Sequence, residues 1–236
     1  MKLLKWLKDG LFPVNCVGCG KEDVLVCGDC LSGTPFFVNR GCFVCAEEGK
    51  WSLGRCPSCE KLFLSGVWSV APYSHPVVKG IIRGLKFSHA SELRAALETL
   101  INRGLTKFSA LMPFSSGTIV VPIPTTPRRF RERGFDQVEW IAEVVSRGLR
   151  LPLRSVIRIV KEHNRQSLLQ TLGARQKNIA GSFGLQGDVR GKTVILVDDV
   201  ITSGATMQEI ARVLREAGAA EVWGFTLARS GRKMSG

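Results

Sequence analysis

The chain has 236 residues, 44% of them hydrophobic, with a formal net charge of +13 and a sequence pI of about 9.8. Length and apolar content exclude a disordered polymer and allow one large domain plus a small module. The charge directs attention to polyanionic partners: nucleic acid, phosphorylated metabolites or an acidic protein.

In chain order, residues 1–13, MKLLKWLKDGLFP, read as a short amphipathic helix with Leu3, Leu4 and Leu7 on one face, ending at Gly10 and Pro13. Lys5 and Lys8 break up the apolar run and no small-residue cleavage site follows, so a signal peptide is not expected. No segment has the roughly 18 uninterrupted apolar residues of a membrane span. A cytoplasmic location is expected, with docking of this helix on a membrane surface the minor reading beside simple packing.

All eight cysteines fall between Cys16 and Cys59, in four C-x-x-C pairs: Cys16/Cys19, Cys27/Cys30, Cys42/Cys45 and Cys56/Cys59. A two-residue gap lets both thiolates of one turn reach a tetrahedral ion, and two such turns complete a four-cysteine site. Disulfides suit an exported chain, and a redox C-x-x-C seldom comes four at a time. The expectation is therefore a module over residues 14–62 with two structural zinc ions. The simplest partition gives Cys16, Cys19, Cys27 and Cys30 to one ion and Cys42, Cys45, Cys56 and Cys59 to the other; an interleaved pattern stays open. Cys19-Gly20 reads as a knuckle in which glycine lets the backbone turn under the metal. Thiolate ligation of two zinc ions would bring the charge to about +9, still basic. His75, His89 and His163 are not needed as ligands and read as ordinary surface or packing residues.

From about residue 63 to 236 strands alternate with helices. VWSVAPY reads as a strand, PVVKGIIRGLK and SELRAALETLINRGL as amphipathic helices, TIVVPIP as a buried strand and QVEWIAEVVSRGL as a helix. TVILVDD is another buried strand, ATMQEIARVLREAG a helix ending at Gly218, and EVWGFTLAR the last strand. The order implies an α/β fold with a mainly parallel sheet and helices on both faces, where ligands bind beyond the carboxyl ends of the strands. GKT at residues 191–193 is no P-loop: Gln186 stands where the first glycine belongs, and a strand follows instead of a helix.

VILVDDVITSGAT, residues 194–206, has that context. Asp198 and Asp199 emerge from an aliphatic run, and Thr202, Ser203, Gly204, Ala205 and Thr206 lead into a helix, a combination that suits an anion through backbone N–H groups, helix dipole and hydroxyls. Two carboxylates beside a phosphate loop suit a sugar diol or a metal; capping of the following turn explains one acid and not the pair.

This stretch resembles the 5-phosphoribosyl 1-pyrophosphate (PRPP) signature of type I phosphoribosyltransferases. Over nearly its full length the chain is similar to the ComF/GntX family, which joins a cysteine-rich zinc module to such a domain and is linked to DNA uptake in natural competence. The resemblance rests on the paired cysteines, LKF at 85–87, VPIP at 121–124, RERGFDQ at 131–137, RQSLLQTLGARQKNIAGSF at 165–183 and the PRPP signature. Asp136 departs from the Asn expected in R-G-F-N-Q, which removes an amide donor there.

The resemblance implies that Asp198 and Asp199 bind the ribose hydroxyls and that residues 202–206 hold the 5′-phosphate. It further implies a pyrophosphate loop at Pro124, Thr125 and Arg128, with Arg129, Arg131 and Arg133 crowded beside it, and a flexible loop from which Arg175 or Lys177 closes over the diphosphate with Mg²⁺. A phosphoribosyltransferase is the leading expectation. No general base and no aromatic hood for an acceptor base are legible. A non-catalytic PRPP- or nucleotide-binding protein that handles DNA is the alternative, with single-stranded DNA and a DNA-uptake helicase or channel as partners. The intact acidic pair and loop argue against a purely structural adaptor.

Overall fold

The structure, a computed structural model, describes residues 14–37, 42, 62–85, 90–109, 114–127, 130–131, 134–161 and 179–230. The expected helix over residues 1–13, the LKF segment at 85–87 beyond Leu85, His89 and His163 lie outside them. In chain order the elements are α1 (Gly28–Ser32), β1 (Gly66–Pro72), α2 (Pro76–Gly84), α3 (Ala90–Phe108), β2 (Ile119–Pro122), α4 (Gln137–Leu149), β3 (Ile157–Ile159), β4 (Phe183–Leu185), β5 (Thr193–Ile201), α5 (Ala205–Glu216) and β6 (Glu221–Arg229).

The apolar runs pair as one parallel sheet in the order β1-β6-β5-β2. Strand periodicity divides each run between two cores. Ile195 and Val197 join Trp68, Val70, Phe225 and Leu227 under α2, α3 and α4, while Val194 and Leu196 join Val67, Val121 and Val222 under α5. The amphipathic faces of the helices supply the rest, such as Val78 and Ile81 of α2, Ile141 and Val145 of α4, and Ile210 and Leu214 of α5. The antiparallel pair β3–β4, which the sequence reading did not contain, adds Ile157 and Phe183 to the α5 side.

Chain connections place the functional crevice. From β2 the chain passes through α4 and returns as residues 152–154, with Leu153 bridged in parallel to Val120 on the edge of β2 away from β5. From β5 it passes through α5 to β6, on the other side. Connections that diverge this way leave an open crevice at the carboxyl ends of the two strands between them, here β2 and β5.

The first cysteine turn is seated on this domain. A Cβ on Gly80 of α2 would lie 2.6 Å from Val17 Cβ, and one on Gly18 would lie 2.7 Å from both Val77 Cγ2 and Cys30 Sγ. Only glycine allows two backbones this close. Arg103 of α3 donates to the carbonyl oxygens of Leu31 (2.6 Å) and Ser32 (3.0 Å), satisfying the end of α1. The Phe37 N–H donates to Val70 O at 2.9 Å, covering the free edge of β1. Cys42, buried, sits in the core on the opposite side, with Leu64 and Met207.

Asp136 begins α4. Its Oδ1 accepts from the N–H groups of Val138 (2.9 Å) and Glu139 (3.1 Å) and from Thr125 Oγ1 (2.9 Å), joining the helix start to the loop after β2. All three bonds run to one oxygen, which asparagine also offers, so Asp136 keeps the acceptor role and lacks only the amide donor. Asp136→Ala is expected to lower stability by about 1 kcal/mol in urea denaturation, while Asp136→Asn stays near wild type; equal losses in both would sink this account of the cap.

Candidate functional site

β2 pairs with β5 only as far as Pro122 opposite Val197, with the Ile123 N–H donating to Val197 O at 3.0 Å. Paired with β6, β5 continues through Asp198 and Val200 to Ile201. Asp198 and Asp199 are thus the first residues on β5 past the point where β2 leaves. Both are half-buried. The Asp199 N–H donates to Asp198 Oδ1 at 2.8 Å and the Val200 N–H to Asp199 Oδ1 at 2.6 Å, so the carboxylates serve backbone groups along this stretch. Next to Asp198 across the sheet, Thr226 is buried and its hydroxyl pairs with Ser69 Oγ at 2.8 Å, leaving no orphan hydroxyl there.

Beyond Ile201 the chain turns through Thr202, exposed, and Ser203, half-buried, into α5. Gly204 caps the helix at φ +73°, a left-handed geometry that side-chain-bearing residues resist. Gly204 and Ala205 are buried and Thr206 is half-buried; Ser203 Oγ accepts weakly from the Ala205 N–H at 3.4 Å. A twelve-residue helix therefore starts directly from a loop of small and hydroxyl residues at the carboxyl end of β5.

Across the crevice, Pro124 and Thr125 are half-buried, with Thr125 held by Asp136. Arg131 is exposed. The remaining basic candidates, Arg128, Arg129, Arg133, Arg175 and Lys177, lie outside the described residues. Gln137 is 1% exposed, and neither carboxamide atom has a hydrogen-bond partner among the described residues.

Two residues near the turn at 202–206 escaped the sequence reading. Glu209 of α5 accepts from the Gly181 N–H at 2.8 Å and from Arg212 through both oxygens, at 2.7 and 3.0 Å. The Arg212 bonds hold its carboxyl below the usual range, and the Gly181 N–H adds to this against burial. The i, i+3 spacing of Glu209 and Arg212 was the available signal. Arg229 ends β6 with its guanidinium over the Phe37 ring, 5.4 Å from the centroid. Nothing in EVWGFTLAR marks that contact.

Cys16, Cys19, Cys27 and Cys30 converge, with all four sulfurs within 4.8 Å of one another. The Cys19–Cys27 sulfur separation of 3.7 Å matches the edge of a tetrahedron with zinc–sulfur bonds of about 2.3 Å. Gly20 turns at φ +78°, as the knuckle requires. Of the second expected set only Cys42 is among the described residues; Cys45, Cys56 and Cys59 are not. Burial pushes the Cys16 thiol up, but the backbone N–H groups of Cys27, Cys19 and Gly18 and the Cys27 thiol hold it down at about 6. Cys30, bonded to the sulfurs of Cys27 and Cys19, is pushed up to about 12. Such a cluster binds a thiophilic cation by releasing protons. Zinc affinity, read by competition with a chromophoric chelator, is expected to weaken as pH falls, because protons compete for the sulfurs, Cys30 first, and to fall more steeply below about 6, where Cys16 also takes up a proton; an affinity flat with pH would contradict thiolate ligation at this cluster.

Among the described residues no helix is long and apolar enough to cross a membrane. The phosphoribosyl transferase domain family matches residues 139–235, which include β5, the acidic pair and α5. The DNA utilization protein YhgH of Escherichia coli is 31% identical over 195 residues, covering 80% of this chain and 82% of that protein. Competence protein F of Haemophilus influenzae is 28% identical over 229 residues, covering 94% and 92%. Competence protein ComFC of Streptococcus pneumoniae is 26% identical over 212 residues, covering 88% and 89%. The chain belongs to the ComF family, with a type I phosphoribosyltransferase fold behind a metal-competent cysteine cluster.

Proposed function

We propose that the protein binds PRPP in the crevice between β2 and β5 and acts as a phosphoribosyltransferase in the use of DNA or its nucleotides. The observation that carries this reading is the juxtaposition at one strand end of two half-buried carboxylates and a glycine-started helix. In it, Asp198 and Asp199 turn from the backbone N–H groups they now serve to the ribose 2′ and 3′ hydroxyls. Thr202, Ser203, Gly204, Ala205 and Thr206 receive the 5′-phosphate at the start of α5. Pro124, Thr125, Arg128 and Arg133 flank the pyrophosphate, with Arg175 or Lys177 closing over it.

The half-buried carboxylates are hard oxygen donors of the kind Mg²⁺ takes, and when bound that ion would neutralise charge on the diphosphate. In the transfer, the bond from the anomeric carbon to the pyrophosphate oxygen breaks and its electron pair leaves with that oxygen. A nitrogen lone pair forms the new bond from the opposite face. Catalysis comes from positioning and charge stabilisation. Cys16, Cys19, Cys27 and Cys30 would hold zinc as a closed structural site, and Cys42, Cys45, Cys56 and Cys59 would hold a second ion. In domain terms, residues 14–62 carry the metal module and residues 63–236 the transferase-like unit, working in the cytoplasm.

Calorimetry with PRPP and Mg²⁺ is expected to show binding to wild type and a loss of roughly tenfold or more in Asp199→Ala, since charged hydrogen bonds to the ribose are removed. A wild type that binds no PRPP refutes the reading. Pyrophosphate release over a panel of nitrogen bases separates a transferase from a protein that only binds PRPP.

Similarity to a DNA utilization protein and to competence proteins, together with the net charge of +13, favours nucleic acid as a second ligand. Single-stranded DNA would bind through phosphates on the basic surface, with the cysteine module as the dock for a helicase or channel partner. Affinity for an oligonucleotide is expected to fall roughly tenfold or more between about 50 and 200 mM salt. A response flat in salt would speak against that electrostatic contact.

A further inference from the structure

We propose that Arg229 is a positioning residue that couples the cysteine-rich module to the phosphate loop. The inference rests on the reading of the crevice as a ribose-phosphate site. Arg229 is the last residue of β6, the strand between β1 and β5, and is half-buried. The module reaches it from one side by two routes. In the first, Val17 and Gly18 bear on Gly80 and Val77 of α2, the helix that follows the turn at Tyr73, and the Tyr73 N–H donates to Arg229 O at 2.8 Å. In the second, the Phe37 ring lies 5.4 Å from the Arg229 guanidinium, while the Phe37 N–H is fixed to Val70 O at 2.9 Å.

On its other side Arg229 is the register partner of Ile201, and the next residue, Ser230, donates its N–H to Ile201 O at 3.0 Å. Ile201 is buried, directly precedes the loop at 202–206, and its Cδ1 lies 3.5 Å from where a Cβ on Gly204 would be. A rigid contact chain therefore runs from the cysteine turn through Arg229 to the residue that launches the loop. Its two ends are a metal-competent cluster and an anion-binding turn; on the module's flank the Arg229 guanidinium meets the Phe37 ring, and on the loop's flank its backbone is paired with Ile201. When the module holds Phe37 and the Tyr73 turn in place, the end of β6 is fixed, and with it the start of the phosphate loop.

The test is calorimetric titration of PRPP and Mg²⁺ into the full-length zinc-loaded chain, comparing wild type with Arg229→Ala, Arg229→Lys, Phe37→Leu and the Phe37→Leu/Arg229→Ala double variant. Phe37→Leu keeps apolar bulk and removes the ring face, so binding weakens by roughly two- to fivefold. Arg229→Ala weakens it at least as much, and adding Phe37→Leu to it costs nothing further. Arg229→Lys keeps a cation over the ring and loses less affinity than Arg229→Ala. Additive losses, or unchanged PRPP affinity in a folded Arg229→Ala, overturn the coupling, as does a lower melting temperature with affinity intact, which marks a purely structural contact. Hydrogen exchange at 201–206 supplies the second readout if Arg229→Ala does not fold: it quickens in Phe37→Leu under coupling, and unchanged exchange overturns it. Wild type that fails to bind PRPP sinks the site reading and the coupling together, whereas binding with additive variants sinks the coupling alone.

Discussion

The end of β2 sets the conditions for everything at the crevice. Pro122 and Pro124 have no N–H, so the VPIP run carries only one more donor past Val121, the Ile123 N–H, and it is spent on Val197 O. Pairing on that side of β5 stops there while pairing with β6 runs on to Ile201. A strand covered on one edge and open on the other exposes backbone groups that need partners in a half-buried setting. Asp198 and Asp199 meet that need with their own carboxylates, which places two acids at a spot where a fully paired strand would carry aliphatic side chains. The same early exit sends the chain outward to Thr125 and Asp136, forming the opposite wall.

Much of this was legible from sequence because each core strand is buried on both faces and reads as an unbroken apolar run, while each helix shows one apolar face. The positions of β1, β2, β5 and β6 follow from those runs, though β2 is shorter than the expected strand, ending at Pro122, and β5 runs two residues beyond its expected end, to Ile201. The cysteine spacing announces a tetrahedral cluster before any geometry is known. What escaped depends on partners distant in sequence. Strands β3 and β4 are three residues each, separated by residues 160–182, too short for periodicity to register. The buried Ser69–Thr226 pair spans 157 residues. Asp136 was legible as part of a motif, but its bond to Thr125 required the fold to bring a loop back over a helix start.

Under the proposed ribose-phosphate reading the acids and the loop at 202–206 would set carboxylates near a phosphate, and the geometry separates the two along the chain. The turn after Ile201 leads into α5, whose dipole suits an anion there, while the carboxylates stand earlier on β5. One ligand with a neutral diol and a charged terminus would span both without placing its phosphate against the acids. Glu209, a third carboxylate on α5, is kept from adding repulsion by Arg212, which neutralises it, and by the Gly181 N–H, which accounts for part of its remaining acceptor capacity.

Composition divides the chain near residue 62, but the contacts join what composition divides. Close approach at Gly18 and Gly80, the Arg103 bonds to the end of α1 and the Phe37 bond to β1 each tie the cysteine turn to a different element of the sheet domain. A closed tetrahedral site contributes no chemistry, yet it makes a short, loop-rich segment rigid at little cost in chain length. Rigidity at that location has a use. Among the described residues β1 is an edge strand of the sheet, and the turn that follows it shares a bond with the end of β6. A flexible cover would leave the sheet's carboxyl rim to fray on the side away from the acids; a cover held by a metal at the four cysteines would fix it, and with it the end of β6 that pairs with Ile201.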